Sequence, residues 1–265
     1  MAEVNETRNA GTPAPKQQES AKGGVGSWIV GVFTSPGATF ASIAEKLERP
    51  HPKDPAKTKD MSKWWLPVLI AIVIAVGLAF YTIPNFVAPM QAEAVREAVM
   101  ARGGTEADVQ QALGVSGAMM LPMGIVGIIV VTLIIVFLMA LILHLLMKMV
   151  GGKGKFRHAR AVVAWAMLIS TLGSLLKLPL MIAKDTMIVE TGPSLFFKSL
   201  EPSDTLFKFL SSFDIFIIWG MAVTAIGAAV VYRVSLGKSW VAVAILWILV
   251  ILLTTFMPGG MGAGM

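Results

Sequence analysis

The sequence predicts an all-α membrane protein, a bundle of about five transmembrane helices with an N-terminal interfacial helix and a periplasmic helical hairpin. Three observations predict it. Of the 265 residues 55% are hydrophobic and 14% charged, with a mean hydropathy of +0.73, whereas a soluble domain carries about 25% charged residues. A soluble fold of this length cannot hide so much apolar surface, so lipid must be the solvent for a large part of it. The apolar residues also gather in runs of the ~20 residues that a bilayer core requires. Finally, basic residues are rich in one connection and poor in the next, as they are when successive loops lie on opposite sides of a membrane.

Residues 1–26 are rich in Gly, Pro, Ser and Gln and poor in aromatics, so they are expected to be disordered and cytoplasmic. Residues 27–64 form an amphipathic segment and linker, too short and too polar to span. Ser35 followed by Pro36 reads as an N-cap with proline at the first helical position. Phe40, Ile43 and Leu47 recur at helical spacing, with Trp28 and Phe33 upstream, and Pro50 stops the helix near Arg49. That stripe suits a helix lying in the membrane interface or, equally, one packed on the end of the bundle. Residues 50–63 are a charged linker broken by prolines.

The spanning domain covers 65–257. Its first span is 65–83, with Trp64, Trp65 and Tyr81 as interfacial anchors. The second is 123–147, long enough to tilt. The third, 159–182, is the weakest, because Gly173, Lys177 and Pro179 interrupt it. The fourth and fifth are 213–232 and 239–257, and residues 258–265 are expected to form a short flexible external tail. Between spans one and two, Pro89 to Arg102 is rich in helix formers and stopped by Gly103-Gly104. Thr105 to Asp108 then caps a second short helix expected to end at Gly114.

Charges by side support this count. The segment before span one holds Lys46, Arg49, Lys53, Lys57, Lys59 and Lys63, and the turn after span two holds Lys148, Lys153, Lys155, Arg157 and Arg160 with no acid. Arg233 and Lys238 follow span four. The connections 84–122 and 183–212 carry as many acids as bases or more, and the tail carries no charge. This alternation places the N-terminus in the cytoplasm and the C-terminus outside. The net charge of +6 therefore does not indicate a nucleic-acid partner.

Few residues offer chemistry. There are no cysteines, which removes disulfides, zinc–thiolate sites and thiol catalysis. No secretory signal is expected, the first residues being polar. Paired carboxylates, a Ser-His-Asp set and metal-ligand spacings do not occur in water-exposed segments, so no catalytic, cofactor or metal residues are expected. Lys177 and Asp214 lie at matching depths near the outer ends of spans three and four, and charge is costly there. They read either as an ion pair on a substrate path or as a snorkelling lysine beside a helix cap. Gly151, Gly152, Lys153 and Phe156 sit in a turn that lacks the spacing of a phosphate loop. It reads as a basic turn near anionic lipid headgroups. Ala71, Ala75 and Ala79, and likewise Gly220, Thr224 and Ala228, are small residues four apart that favour close helix packing or self-association.

An ordered set of motifs resembles the Yip family of Ypt/Rab-GTPase-interacting membrane proteins, in its bacterial branch. It comprises Phe33-Thr34-Ser35-Pro36 with Phe40 and Ile43, the stretch Gly151 to Phe156, and Phe213-Asp214-Ile215-Phe216-Ile217-Ile218-Trp219 followed by Gly227. The resemblance covers residues 28–257. The acidic-Tyr-Gly-Pro stretch of the eukaryotic members has no counterpart. The resemblance implies a five-span fold in the bacterial cytoplasmic (inner) membrane and a role in membrane organisation rather than a reaction, and it makes Asp214 and Trp219 motif residues. The leading expectation is a non-enzymatic scaffold acting through helix, protein or lipid contacts, including protein partners or a second copy. The alternative is a small transporter or channel that uses Lys177 and Asp214.

Overall fold

The computed structural model describes residues 24–51, 54–58, 60–197 and 199–256. Residues 1–23 of the stretch expected to be disordered, and the tail 258–265, lie outside them. Among the described residues five helices are long and apolar enough to cross a membrane.

The chain begins with a helical pair, α1 (Val25–Thr34) and α2 (Pro36–Glu48). The apolar run that starts α1 is too short to span and breaks where Pro36 withdraws its N–H. Ser35 occupies the N-cap position of α2 with Pro36 in the first turn, but its hydroxyl makes no cap bond. Instead its backbone joins the helices. The Ser35 N–H donates to Gly31 O at 2.8 Å, and Ser35 O accepts from the Thr39 hydroxyl at 3.0 Å. The stripe Phe40, Ile43 and Leu47 is fully buried within the main core cluster. Of the two placements the sequence leaves open, α2 takes the one packed against the bundle. The linker that follows contains a short antiparallel ladder, β1 (Pro50–His51) with β2 (Asp54–Thr58).

Helix α3 (Trp65–Thr82) does not stop at the membrane edge. It runs through one π turn, Ile83–Val87, into α4 (Ala88–Met100). Pro84 lacks an N–H, and its ring would meet the carbonyl four residues back, so the helix widens there rather than breaking. The Asn85 side-chain amide donates to Tyr81 O at 2.8 Å across the widened turn. The next helix, α5 (Glu106–Met149), is 44 residues long and capped by Thr105 with Asp108. It passes straight through Gly114 and Pro122, so the second hairpin arm does not end at Gly114. The reason is energetic. An interior glycine costs ~1 kcal/mol and a proline one hydrogen bond, whereas ending a helix beside the membrane would strand several carbonyls and N–H groups.

Helix α6 (Phe156–Lys184) is the centre of the bundle and packs on α3, α5 and α8 (Ile215–Tyr232). Half of its apolar window is buried in protein, against 11% for α5. This explains its weak hydropathy. A helix surrounded by helices packs through small residues such as Ala159, Ala161 and Ala164, while α5 must present Leu, Ile and Val to lipid. After α6 come a 3₁₀ turn (Pro193–Phe196), α7 (Thr205–Ser211), α8 and α9 (Leu236–Phe256). The bundle thus has a basic end, with the 150–155 turn and the ends of α2 and α8, and a loop end, with the α4–α5 hairpin and the 185–214 connection.

Candidate functional site

At the loop end Asp214 stands in extended conformation immediately before α8 and caps it. Its Oδ1 accepts from the Phe216 N–H at 2.7 Å and the Ile217 N–H at 3.4 Å. Its Oδ2 accepts from Lys177 Nζ at 2.7 Å and from the Thr191 hydroxyl. Asp214 is 6% exposed, and the Lys177 side chain retains 23% of its exposure. The sequence poses pair and cap as alternatives. The structure has both, because a carboxylate offers two oxygens and each faces a different helix. A neighbouring acid does the same for the connection itself. Glu190 Oε2 accepts from the Ser211 hydroxyl at 3.0 Å and from the nearly buried Ser194. Donors thus occupy both Asp214 oxygens, and the carboxylate joins α6, the 185–214 connection and α8.

At the basic end the turn between α5 and α6 wraps one ring. Tyr232, the last residue of α8, is fully buried. Its carbonyl accepts from the Lys153 N–H at 3.0 Å, and its hydroxyl lies 2.7 Å from His144 Nδ1. A Cβ added to Gly152 or to Gly154 would stand 2.7 Å from the Tyr232 ring, so both glycines are required by close approach. Gly151 turns the chain at φ +88°. The glycines that suggest a phosphate loop at first sight therefore make room for an aromatic side chain. Phe156 opens α6, stacks on Phe137 at 6.4 Å and stands nearly perpendicular to the His144 ring at 6.2 Å. The Lys153 and Lys155 side chains are exposed.

The remaining motif residues join α1 and α2 to the bundle. Trp219 is half-buried on α8 and meets Phe33 edge-on at 5.7 Å. A Cβ on Gly227 would lie 2.7 Å from the Phe40 ring, so α2 and α8 touch where that glycine sits. Ser35 and Pro36 form the corner above this contact. Arg160 fastens the start of α3, pairing with Asp60 at 2.7 Å and lying 4.3 Å over the Trp64 ring.

Lys177 is thus brought to Asp214, and Gly151, Gly152, Lys153 and Phe156 surround Tyr232 and His144. The two clusters stand at opposite ends of the bundle and share no residue. Tyr232, Thr191 and Glu190 escape a reading of the sequence, and Arg160 reads there only as one more charge of a basic turn. Tyr232 had a signal, being one of two tyrosines at the end of an apolar run, but composition does not tell whether such a ring faces lipid or protein. Among the described residues no His, Asp and Glu group could hold a metal ion.

Comparison with known proteins places these motifs. The Yip1 domain model matches residues 30–257, the range from α1 to the end of α9. The membrane protein YknW of Bacillus subtilis is 26% identical over 257 residues, covering 96% of this chain and 95% of that protein. No solved structure matches. With its helical pair, five membrane-length helices and motif contacts inside the matched range, the chain belongs to the Yip1-domain family of membrane proteins.

Proposed function

We propose that this protein is a non-enzymatic scaffold of the bacterial inner membrane. In this reading the basic end and the N-terminus face the cytoplasm, and the loop end and the C-terminus face outward. The observation that carries it is the closed Lys177–Asp214 cluster. The one charge pair between α6 and α8 among the described residues is spent on fastening helices and a loop, and an ion or substrate path needs exchangeable sites. The orientation is supported by Lys148, Lys153, Lys155 and Lys238, all exposed at the basic end. Such lysines attract anionic headgroups by about 1 kcal/mol each. Partners or a second copy dock on this face, reading the turn 151–156 and the end of α2.

The test is crosslinking from position 153 and from α2 in nanodiscs formed from the protein's own membranes. Defined adducts that vanish in Lys153→Glu are the expected result. Absence of any partner and of self-association overturns the scaffold. A liposome flux above that of empty vesicles, lost in Asp214→Asn, replaces it with a transporter.

A further inference from the structure

In the 185–214 connection several polar groups turn inward while five large apolar side chains turn outward. Glu190 is held by Ser194 and Ser211, and Thr191 donates to the buried Asp214. By contrast Leu195, Phe196, Phe197, Leu206 and Phe209 are exposed, Phe196 by 82%. A water-facing loop shows the opposite pattern, and a segment resting in the membrane interface shows this one. Beneath it, between α7 and the last turns of α9, lies a groove of about 660 Å³. Three rings in edge contact form its wall, Phe209 to Phe213 at 5.2 Å and Phe213 to Trp247 at 4.8 Å. Leu206, Ile248, Ile251 and Leu252 complete its apolar lining.

We propose that this groove binds one acyl chain of a membrane phospholipid from the leaflet at the loop end. Three features argue for that occupant. The groove is cut into a spanning helix and is continuous with the exposed Leu252 and Leu253 of α9, so hydrocarbon is the medium at its mouth. Left empty, its walls forfeit dispersion contacts that a flexible chain restores. Lys208, half-buried on α7 between the groove-lining Leu206 and Phe209, has no ion pair among the described residues, and in this proposal its ammonium meets the lipid phosphate. The proposal rests on membrane embedding alone and is independent of the scaffold reading.

The experiment uses the full chain with p-benzoylphenylalanine at position 209, in vesicles of phosphatidylglycerol and phosphatidylethanolamine. Irradiation is expected to yield an adduct of one phospholipid mass. Filling the groove with Ile251→Trp should lower its yield roughly fivefold, a loss of about 1 kcal/mol of contact. The same probe at Leu141, on the lipid-facing side of α5, should be unaffected by Ile251→Trp. If Ile251→Trp does not fold by gel filtration, Leu206→Trp replaces it with the same expectation. Lys208→Gln should reduce the preference for phosphatidylglycerol. An adduct to residues 257–265 or to a second copy overturns the proposal, as does a lipid adduct that filling the groove leaves unchanged.

Discussion

Replacing Asp214 with alanine removes four acceptor contacts at once: two to the first N–H groups of α8, one to Lys177 and one to Thr191. Loss of an N-cap costs about 1 kcal/mol. Breaking a buried ion pair by removing one partner costs about 3–5 kcal/mol when the survivor is fully buried. Lys177 keeps 23% of its side-chain exposure, so it can turn toward the interface and recover part of that loss. The expected total for Asp214→Ala is about 3 kcal/mol. Asp214→Asn keeps a side-chain oxygen that still caps α8 but sets an amide NH2 where Oδ2 accepts from Lys177 and Thr191, for about 1–2 kcal/mol. The double-mutant cycle of Asp214→Asn with Lys177→Met should show a coupling of about 1–2 kcal/mol. The assay is unfolding in mixed micelles titrated with dodecyl sulfate, followed by tryptophan fluorescence. If Asp214→Ala and Asp214→Asn unfold together, or the two single effects simply add, the reasoning that one carboxylate serves as both cap and bolt fails.

Three further outcomes follow from the packing. Gly154→Ala forces a Cβ to within 2.7 Å of the Tyr232 ring and should cost about 1–3 kcal/mol by overpacking; a melting temperature equal to the wild type would show that the turn yields freely. Gly227→Ala should be similarly destabilising because of Phe40, and Phe40→Leu in the same chain should recover part of the loss if that ring is the obstacle, which thermal denaturation in detergent would reveal. Arg160→Ala loses the Asp60 pair and the Trp64 stack and should cost about 1–2 kcal/mol; limited proteolysis within 50–63 should quicken, and Arg160→Lys should not restore resistance, since a lysine lacks the planar face.

The fold class was legible because lipid imposes a severe rule, and the family through its resemblance in a few ordered motifs. Every membrane-length helix must be apolar over ~20 residues, and that length is visible in one dimension. The third of these helices reads weakly for a reason that the fold supplies, since α6 meets protein where α5 meets hydrocarbon. The boundary at Gly114 misled for a related reason. A glycine is a helix stop in water, where freed carbonyls find solvent, and only an interruption beside a bilayer. Lys177 and Asp214 could be singled out because a charge inside an apolar run is conspicuous. Thr191 and Glu190 could not, since a threonine and a glutamate in a polar connection look like any others.

The sequence by itself therefore determined the solvent, the number of membrane-length helices and the two charges that meet near the ends of α6 and α8. Each follows from composition or local spacing, which need no knowledge of neighbours. The family came from the resemblance of its ordered motifs and the domain match over residues 30–257. Only the tertiary structure decided what those residues do: that the Gly151 to Phe156 turn closes around Tyr232, that one carboxylate divides its oxygens between a cap and a cation, and that the 185–214 connection turns its rings outward over a groove. These are contacts between residues tens of positions apart, and their directions are set by how helices pack, which no single stretch of chain encodes.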